Sequence, residues 1–290
     1  MPRPAVRARL AALALVGLAG CESLRPAAPV PPAGGPAPLA AASIPKKPGG
    51  IYPPGRVGPF VFYYDAPFPA DDPVFRDLET LPDQIQRELR LPVGTAFVQV
   101  YLFPDQDKYE AFMRDRFPWL PPRRAYFVTD QKRPGGADDL QVYTWMGDHL
   151  RTDLRHELTH GLLHGVLKGV PLWLDEGLAG FFEQPVEADG VNFDHLDKLR
   201  RAGPFDLARL EKVTKVEQME KPEYRESWAW VHYCLRGDPA ARAALLEYLQ
   251  ALRETPAPGP LVPRLRAILP DPEAAVAAHL QRTAVPVARP

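Results

Sequence analysis

The spacing of apolar and polar residues changes character along this chain. Residues 22–55 carry no hydrophobic period, whereas short apolar runs follow at once. The run 60–64 (FVFYY) reads as a strand. Residues 73–91 place Phe75, Leu78, Leu81, Ile85 and Leu89 at helical spacing and predict one helix. Residues 96–103 contain FVQVYL, a β-branched and aromatic stretch that predicts a second strand. A helix over 105–116 should end at Pro118, followed by a strand over 124–128, a turn over 131–139 (QKRPGGADD) and a strand over 140–146. Asp148 is positioned to cap a long helix reaching about residue 168. Beyond it the pattern is helical, over 172–182, 193–201, 222–236 and 239–253, with weaker pieces towards the end. Strands first and helices afterwards predict an α+β fold.

Composition changes this picture only at the N-terminus. The hydrophobic share of 46% is ordinary for one packed unit, expected here over residues 57–285. A net charge of −1 offers no electrostatic basis for holding nucleic acid. Residues 1–20 read as an export signal, with Arg3, Arg7 and Arg9 ahead of a short apolar run over 10–18. That run is well short of the roughly 20 residues that span a bilayer. Leu18-Ala19-Gly20-Cys21 follows and matches a bacterial lipobox, in which the cysteine receives a diacylglycerol and becomes the mature N-terminus. Several acyl chains on Cys21 would anchor the chain to a membrane in the cell envelope, the outer membrane or periplasmic face being favoured. Residues 21–56 are rich in Pro, Ala and Gly and should form an extended tether, since such a segment cannot bury enough apolar surface to offset its ordering. Lipidation would leave Cys234 as the remaining thiol of 2 cysteines, which excludes a disulfide framework. Cys234 lies in an apolar helical run and is expected to be structural.

The candidate chemistry is concentrated at His156-Glu157-Leu158-Thr159-His160, an HExxH on a predicted helix. Residues i and i+4 share a helix face, so both imidazoles can address one ion. Glu157 is rotated about 100° from His156, close enough to reach a water at that ion without being a ligand. Leu154, Leu158 and Leu162 form an apolar stripe on the far side, so one face can pack while the other faces a site. A catalytic zinc needs three protein ligands and an open position. The helix over 172–182 offers Glu176, with Asp175 and Glu183 as rivals. His164 continues the histidine series but lies about 12 Å from His156 along the axis, so it cannot share an ion with both histidines.

Trp173-Leu174-Asp175-Glu176-Gly177-Leu178-Ala179 resembles the second-helix motif of gluzincin peptidases, best known in the aminopeptidase-N family. The resemblance implies that Glu176 is the third zinc ligand beside His156 and His160. The connection between His160 and Glu176 is shorter than in the aminopeptidases and is similar to that of small peptidase-MA-like families. The segment 224–233 (YRESWAWVHY) is similar to the gluzincin helix that opens with a catalytic tyrosine, which implies an oxyanion-stabilising role for Tyr224. The sequence departs from neighbouring patterns elsewhere. Leu163 and Val166 stand where a metzincin would have glycine and histidine, and Gly180 stands where thermolysin-like enzymes carry an acidic residue. The strand over 140–146 lacks the glutamate of the aminopeptidase GxMEN segment, which disfavours that kind of exopeptidase. As the edge strand ahead of the zinc helix, residues 140–145 are expected to pair with extended substrate.

The expected protein is thus an α+β, zincin-like metallopeptidase: a mixed sheet with helices, a mainly helical C-terminal lobe, and one Zn²⁺ in the cleft. His156, His160 and Glu176 are the expected ligands, Glu157 the general base, Tyr224 the oxyanion donor, and a polypeptide the substrate. The alternatives are a non-catalytic zinc domain that binds peptide or cell-wall material, and an envelope amidase.

Overall fold

The computed structural model describes residues 47–130, 139–203 and 205–284. The expected signal segment, the lipobox with Cys21, most of the tether and most of the 131–139 turn lie outside the described residues. Five strands form one mixed sheet: β1 (Gly55–Val57), β2 (Phe60–Tyr63), β3 (Val98–Phe103), β4 (Tyr126–Asp130) and β5 (Asp139–Trp145). Their spatial order is β1-β2-β3-β5-β4. β2, β3 and β5 run parallel, while β1 and β4 close the two edges in antiparallel pairing.

Alternation along the strands sorts side chains to two faces, and both are covered. Val98, Val100, Leu102, Phe127, Leu140 and Val142 join the main core under the helices α1 (Pro73–Leu78), α2 (Leu81–Leu89) and α4 (Leu150–His164). Tyr101, Phe103, Tyr126, Val128 and Tyr143 face the other way, against Tyr109, Phe112 and Met113 of α3 (Gln106–Arg116). Covering both faces explains why β3 and β5 are buried along nearly their whole length.

The remaining chain is helical: α5 (Leu172–Phe182), α6 (Phe193–Leu199), α7 (Leu207–Leu210), α8 (Lys221–Arg236), α9 (Pro239–Glu254), α10 (Val262–Ile268) and α11 (Pro272–Arg282). α8 is the hub of this part, packed against α5, α6, α7, α9 and α11. Trp228 and Trp230 on it are fully buried. Arg236 at its end pairs with Glu88 of α2 at 2.9 Å, joining the helical part to the sheet layer. Among the described residues no helix is long and apolar enough to cross a membrane.

Four expectations are corrected. The helix over 73–91 is two helices, because Pro82 cannot donate to Leu78 and its ring would clash with that carbonyl. Asp148 does not cap α4; His149 occupies the N-cap position without a side-chain bond. The helix ends at His164 rather than near 168, where the Lys168 N–H already donates to Leu252 of α9. The strand expected at the sheet edge, now β5, is interior, since β3 and β4 occupy both of its hydrogen-bonding sides. It therefore has no backbone groups left for substrate, and β4 is the edge on that side. Upstream, β1 begins at Gly55, the Gly49 N–H donates to Asp65 at 2.8 Å, and Lys47 sits 3.5 Å over the Tyr101 ring.

Candidate metal centre

α4 carries the HExxH segment and is tied to its neighbours at several points. Arg155, fully buried, donates to the Phe182 carbonyl (2.8 Å), to Gln84 (2.6 Å) and to Asp77 (3.1 Å), so one guanidinium ties α4 to α1, α2 and the end of α5. Asp153 is clamped by Arg124, with its Oδ1 2.7 Å from the Arg124 Nη2. Gly161 lets the helix lie directly on the sheet; a Cβ there would come within 2.7 Å of Val98. Leu154, Leu158 and Leu163 fill the core side, Leu162 being only half-buried.

His156, His160 and Glu176 converge, with one ligand atom from each lying within 4.8 Å of the others. The Nε2 of His156 is 3.7 Å from Oε2 of Glu176. Ligand atoms about 2 Å from one tetrahedral ion lie roughly 3.3 Å apart, so this separation suits two ligands flanking an ion. The Nε2 atoms of both histidines and both Glu176 oxygens are buried without hydrogen-bond partners. Buried polar atoms are rarely left that way, and a cation at their centre would satisfy all of them.

The other ring nitrogens are accounted for by carboxylates. Nδ1 of His156 is 2.7 Å from Oε2 of Glu183, whose Oε1 accepts from Asn192 at 2.8 Å and from Gln184 at 3.1 Å. Nδ1 of His160 lies 2.7 Å from Oδ1 of Asp175, and the other Asp175 oxygen is 2.8 Å from Nε2 of His164. Asp175 and Glu183, rivals for the third ligand position, thus orient the histidines, and His164 steadies Asp175. His160, His164 and Asp175 form a second group that could geometrically hold an ion. There, however, Asp175 Oδ2 is hydrogen-bonded to His164 and Oδ1 is in ion-pair contact with His160 at 2.7 Å, whereas both Glu176 oxygens lack hydrogen-bond partners.

Electrostatics separates the four carboxylates. Burial opposes the charge of Asp175, but His160 and His164 outweigh it and hold its pKa well below the usual range. Burial likewise opposes Glu183, and the His156 bond more than compensates. Glu176 is raised by burial despite both histidines. Glu157 is pushed up to about 8 by burial, with Glu176 and Asp153 adding to it and His156 opposing. Burial also works against charging His156, but Glu176 and Glu183 raise its pKa well above the ordinary value. Glu176 and Glu157 are therefore the carboxylates that the chain itself does not neutralise, and a bound cation would favour their charged forms.

Tyr224 reaches this site because α5 and α8 cross very closely. A Cβ on Gly177 would lie 2.5 Å from the Ser227 carbonyl, and Tyr224 is one turn before Ser227 while Glu176 adjoins Gly177. The Tyr224 hydroxyl is buried and without a hydrogen-bond partner. Burial and then the charge of Glu176 raise its pKa above the usual phenol value, so it remains a proton donor. Tyr233 lies further along the same helix, and Cys234 is buried, its thiol pushed up to about 12 by burial alone, as suits a structural residue.

Asp175 and Glu183 had a signal in the sequence as acidic residues on the helix that carries Glu176, Glu183 two turns after it; their assignment as imidazole partners needed the packing. Arg155 had none, because an arginine inside HExxH's own helix reads as solvent-facing. No protein-family model matches this sequence, and no curated protein matches it.

Proposed function

We propose that this protein is a zinc-dependent peptidase of zincin architecture and gluzincin ligand type, hydrolysing peptide bonds within polypeptides. Three converging ligand groups, two imidazoles and a carboxylate, buried and without partners, carry this reading. Mixed nitrogen and oxygen donors with each imidazole backed by a carboxylate suit Zn²⁺. When bound, zinc would polarise a carbonyl and bring a water's pKa towards about 7.

The chain's own residues supply the rest. Glu157 neighbours His156 on α4 and has a buried oxygen without a partner, positioned to accept the proton of the attacking water and later return it to the leaving amine. Tyr224 donates to the oxygen on which negative charge develops. A domain that only bound peptide would have no use for a buried, uncompensated carboxylate at Glu157, which favours catalysis over the non-catalytic alternative. β4, open on one side among the described residues, offers backbone groups to an extended polypeptide beside α4. Cys21 would carry the lipid that holds this unit at the cell envelope, and the net charge of −1 supplies no electrostatic case for nucleic acid.

Metal analysis and cleavage of an unbiased peptide library by the purified protein test the reading. About one zinc per chain is expected, with cleavage lost by at least about 100-fold in Glu157→Gln while metal is retained. Absence of zinc, or cleavage indifferent to Glu157→Gln, refutes it. Cleavage confined to non-peptide amides would transfer the mechanism to an amidase.

A further inference from the structure

Two arginines stand immediately before the edge strand β4, and the fold uses them differently. Arg124 is structural: its guanidinium forks onto Asp153, with Nη2 at 2.7 Å from Oδ1 and Nε at 3.1 Å from Oδ2. Its carbonyl also accepts from the Thr144 hydroxyl of β5 at 3.2 Å. Residues 123–124 are thereby fixed to β5 on one side and to α4, one turn ahead of Glu157, on the other.

Arg123 is not forked onto a carboxylate in this way. Its guanidinium lies 5.8 Å from the Tyr126 ring centroid, and its Nη1 is buried without a hydrogen-bond partner. The same guanidinium lies against the Tyr224 hydroxyl, and its charge is also felt by Glu157. A buried guanidinium N–H without an acceptor is costly, and the Tyr224 hydroxyl is in the same condition. The Tyr224 oxygen is within reach of this guanidinium as an acceptor, but the Tyr224 O–H and Arg123 Nη1 remain as two adjacent buried donors, beside the carboxylates of the site, for an oxygen the chain does not supply. Arginine suits that task, since it cannot deprotonate and its charge-assisted bonds are roughly twice as strong as neutral ones.

We propose that Arg123 is a further catalytic residue, its Nη1 joining the Tyr224 hydroxyl in donating to the substrate carbonyl oxygen as it becomes negative. This rests on the hydrolytic reading above. Water adds to the carbonyl carbon, its proton passes to Glu157, and the C=O π pair moves onto the oxygen held by the two donors. Collapse restores the C=O, breaks the C–N bond and returns the proton from Glu157 to the amine nitrogen.

The test compares the full protein with Arg123→Met, Arg123→Lys and Glu157→Gln, using a cleaved peptide and a phosphinic peptide that mimics the tetrahedral state. Arg123→Met should lower kcat by about 10²–10³ with KM, metal content and melting temperature near wild type. It should weaken the phosphinic peptide comparably, while leaving binding of uncleaved peptide unchanged when combined with Glu157→Gln. Arg123→Lys should recover part of both losses. Normal kcat and normal phosphinic affinity in Arg123→Met overturn the assignment. So does a raised KM at unchanged kcat, which would assign the guanidinium to a substrate carboxylate, and so does loss of metal or melting temperature in both variants. A wild type without Glu157-dependent hydrolysis overturns the functional reading itself, and Arg123's role with it.

Discussion

Nδ1 of His156 and Oε2 of Glu183 are 2.7 Å apart, although 27 residues separate them in the chain. The contact aims Nε2 of the same ring at Glu176 and leaves it without a partner. A carboxylate that fixes an imidazole in this way also raises its basicity as a ligand.

Removing that support should weaken the metal without abolishing the site. Glu183→Ala is expected to lower metal affinity by about 10–100-fold. Glu183→Gln should cost less, because its amide oxygen can still accept from Nδ1, and Glu176→Ala should cost most. Competition with a chelating dye measures the order. Unchanged affinity in Glu183→Ala would remove Glu183 from the site.

Tyr224→Phe deletes one hydroxyl and leaves the packing of the ring intact. Turnover should fall by about 10²–10³, with KM, metal content and melting temperature close to wild type. Tyr233→Phe, on the same helix, should turn over normally. Steady-state kinetics on a cleaved peptide distinguishes them, and the opposite pattern would shift the role to Tyr233.

Two glycines of α5 predict opposite outcomes. A Cβ at Gly177 would sit 2.5 Å from the Ser227 carbonyl and 2.7 Å from Val231, so Gly177→Ala must push α8 away. A stability loss of about 1–3 kcal/mol is expected for such overpacking, with activity falling as Tyr224 moves from Glu176. At Gly180 the nearest atom would be Trp228 Cβ at 3.7 Å, an ordinary contact. Gly180→Ala should therefore be neutral or stabilising, by up to about 1 kcal/mol of helix propensity. Denaturant titration of both variants checks the contrast.

Acid should destabilise the helical part through His232 and His279, whose rings meet at 2.9 Å between α8 and α11. Burial lowers His232 to about 3, helped by His279 and Arg236, and lowers His279 to about 4, helped by Arg282. Above pH about 6.5 both rings are neutral folded or unfolded and the pair contributes no pH dependence. Below it the unfolded chain takes up protons that the folded protein refuses, so stability falls as pH drops towards about 4. His279→Gln removes one of these sites and should flatten the slope of unfolding free energy against pH. A slope identical to wild type would show that the pair does not titrate this way.

Local signals determined a good part of this protein. Period-two and period-3.6 patterns located β2, β3, α3, α5, α8 and α9, because each element's own buried face repeats within a few residues. HExxH brought His156, Glu157 and His160 together for the same reason: one helical turn suffices. Glu176 was legible only through a motif, since nothing in the spacing from His160 says how the two helices pack. Features that depend on a partner distant in sequence were decided by tertiary structure alone. Pairing on both sides moved β5 from the edge to the interior, and the folding of α5 against α4 set Asp175 against His160 and Glu183 against His156. The close crossing at Gly177 brought α8 against α5, and the Arg124–Asp153 clamp fixed the chain next to Arg123 onto α4. In each case the stabilising contact joins residues whose separation along the chain carries no period, so only packing could select it.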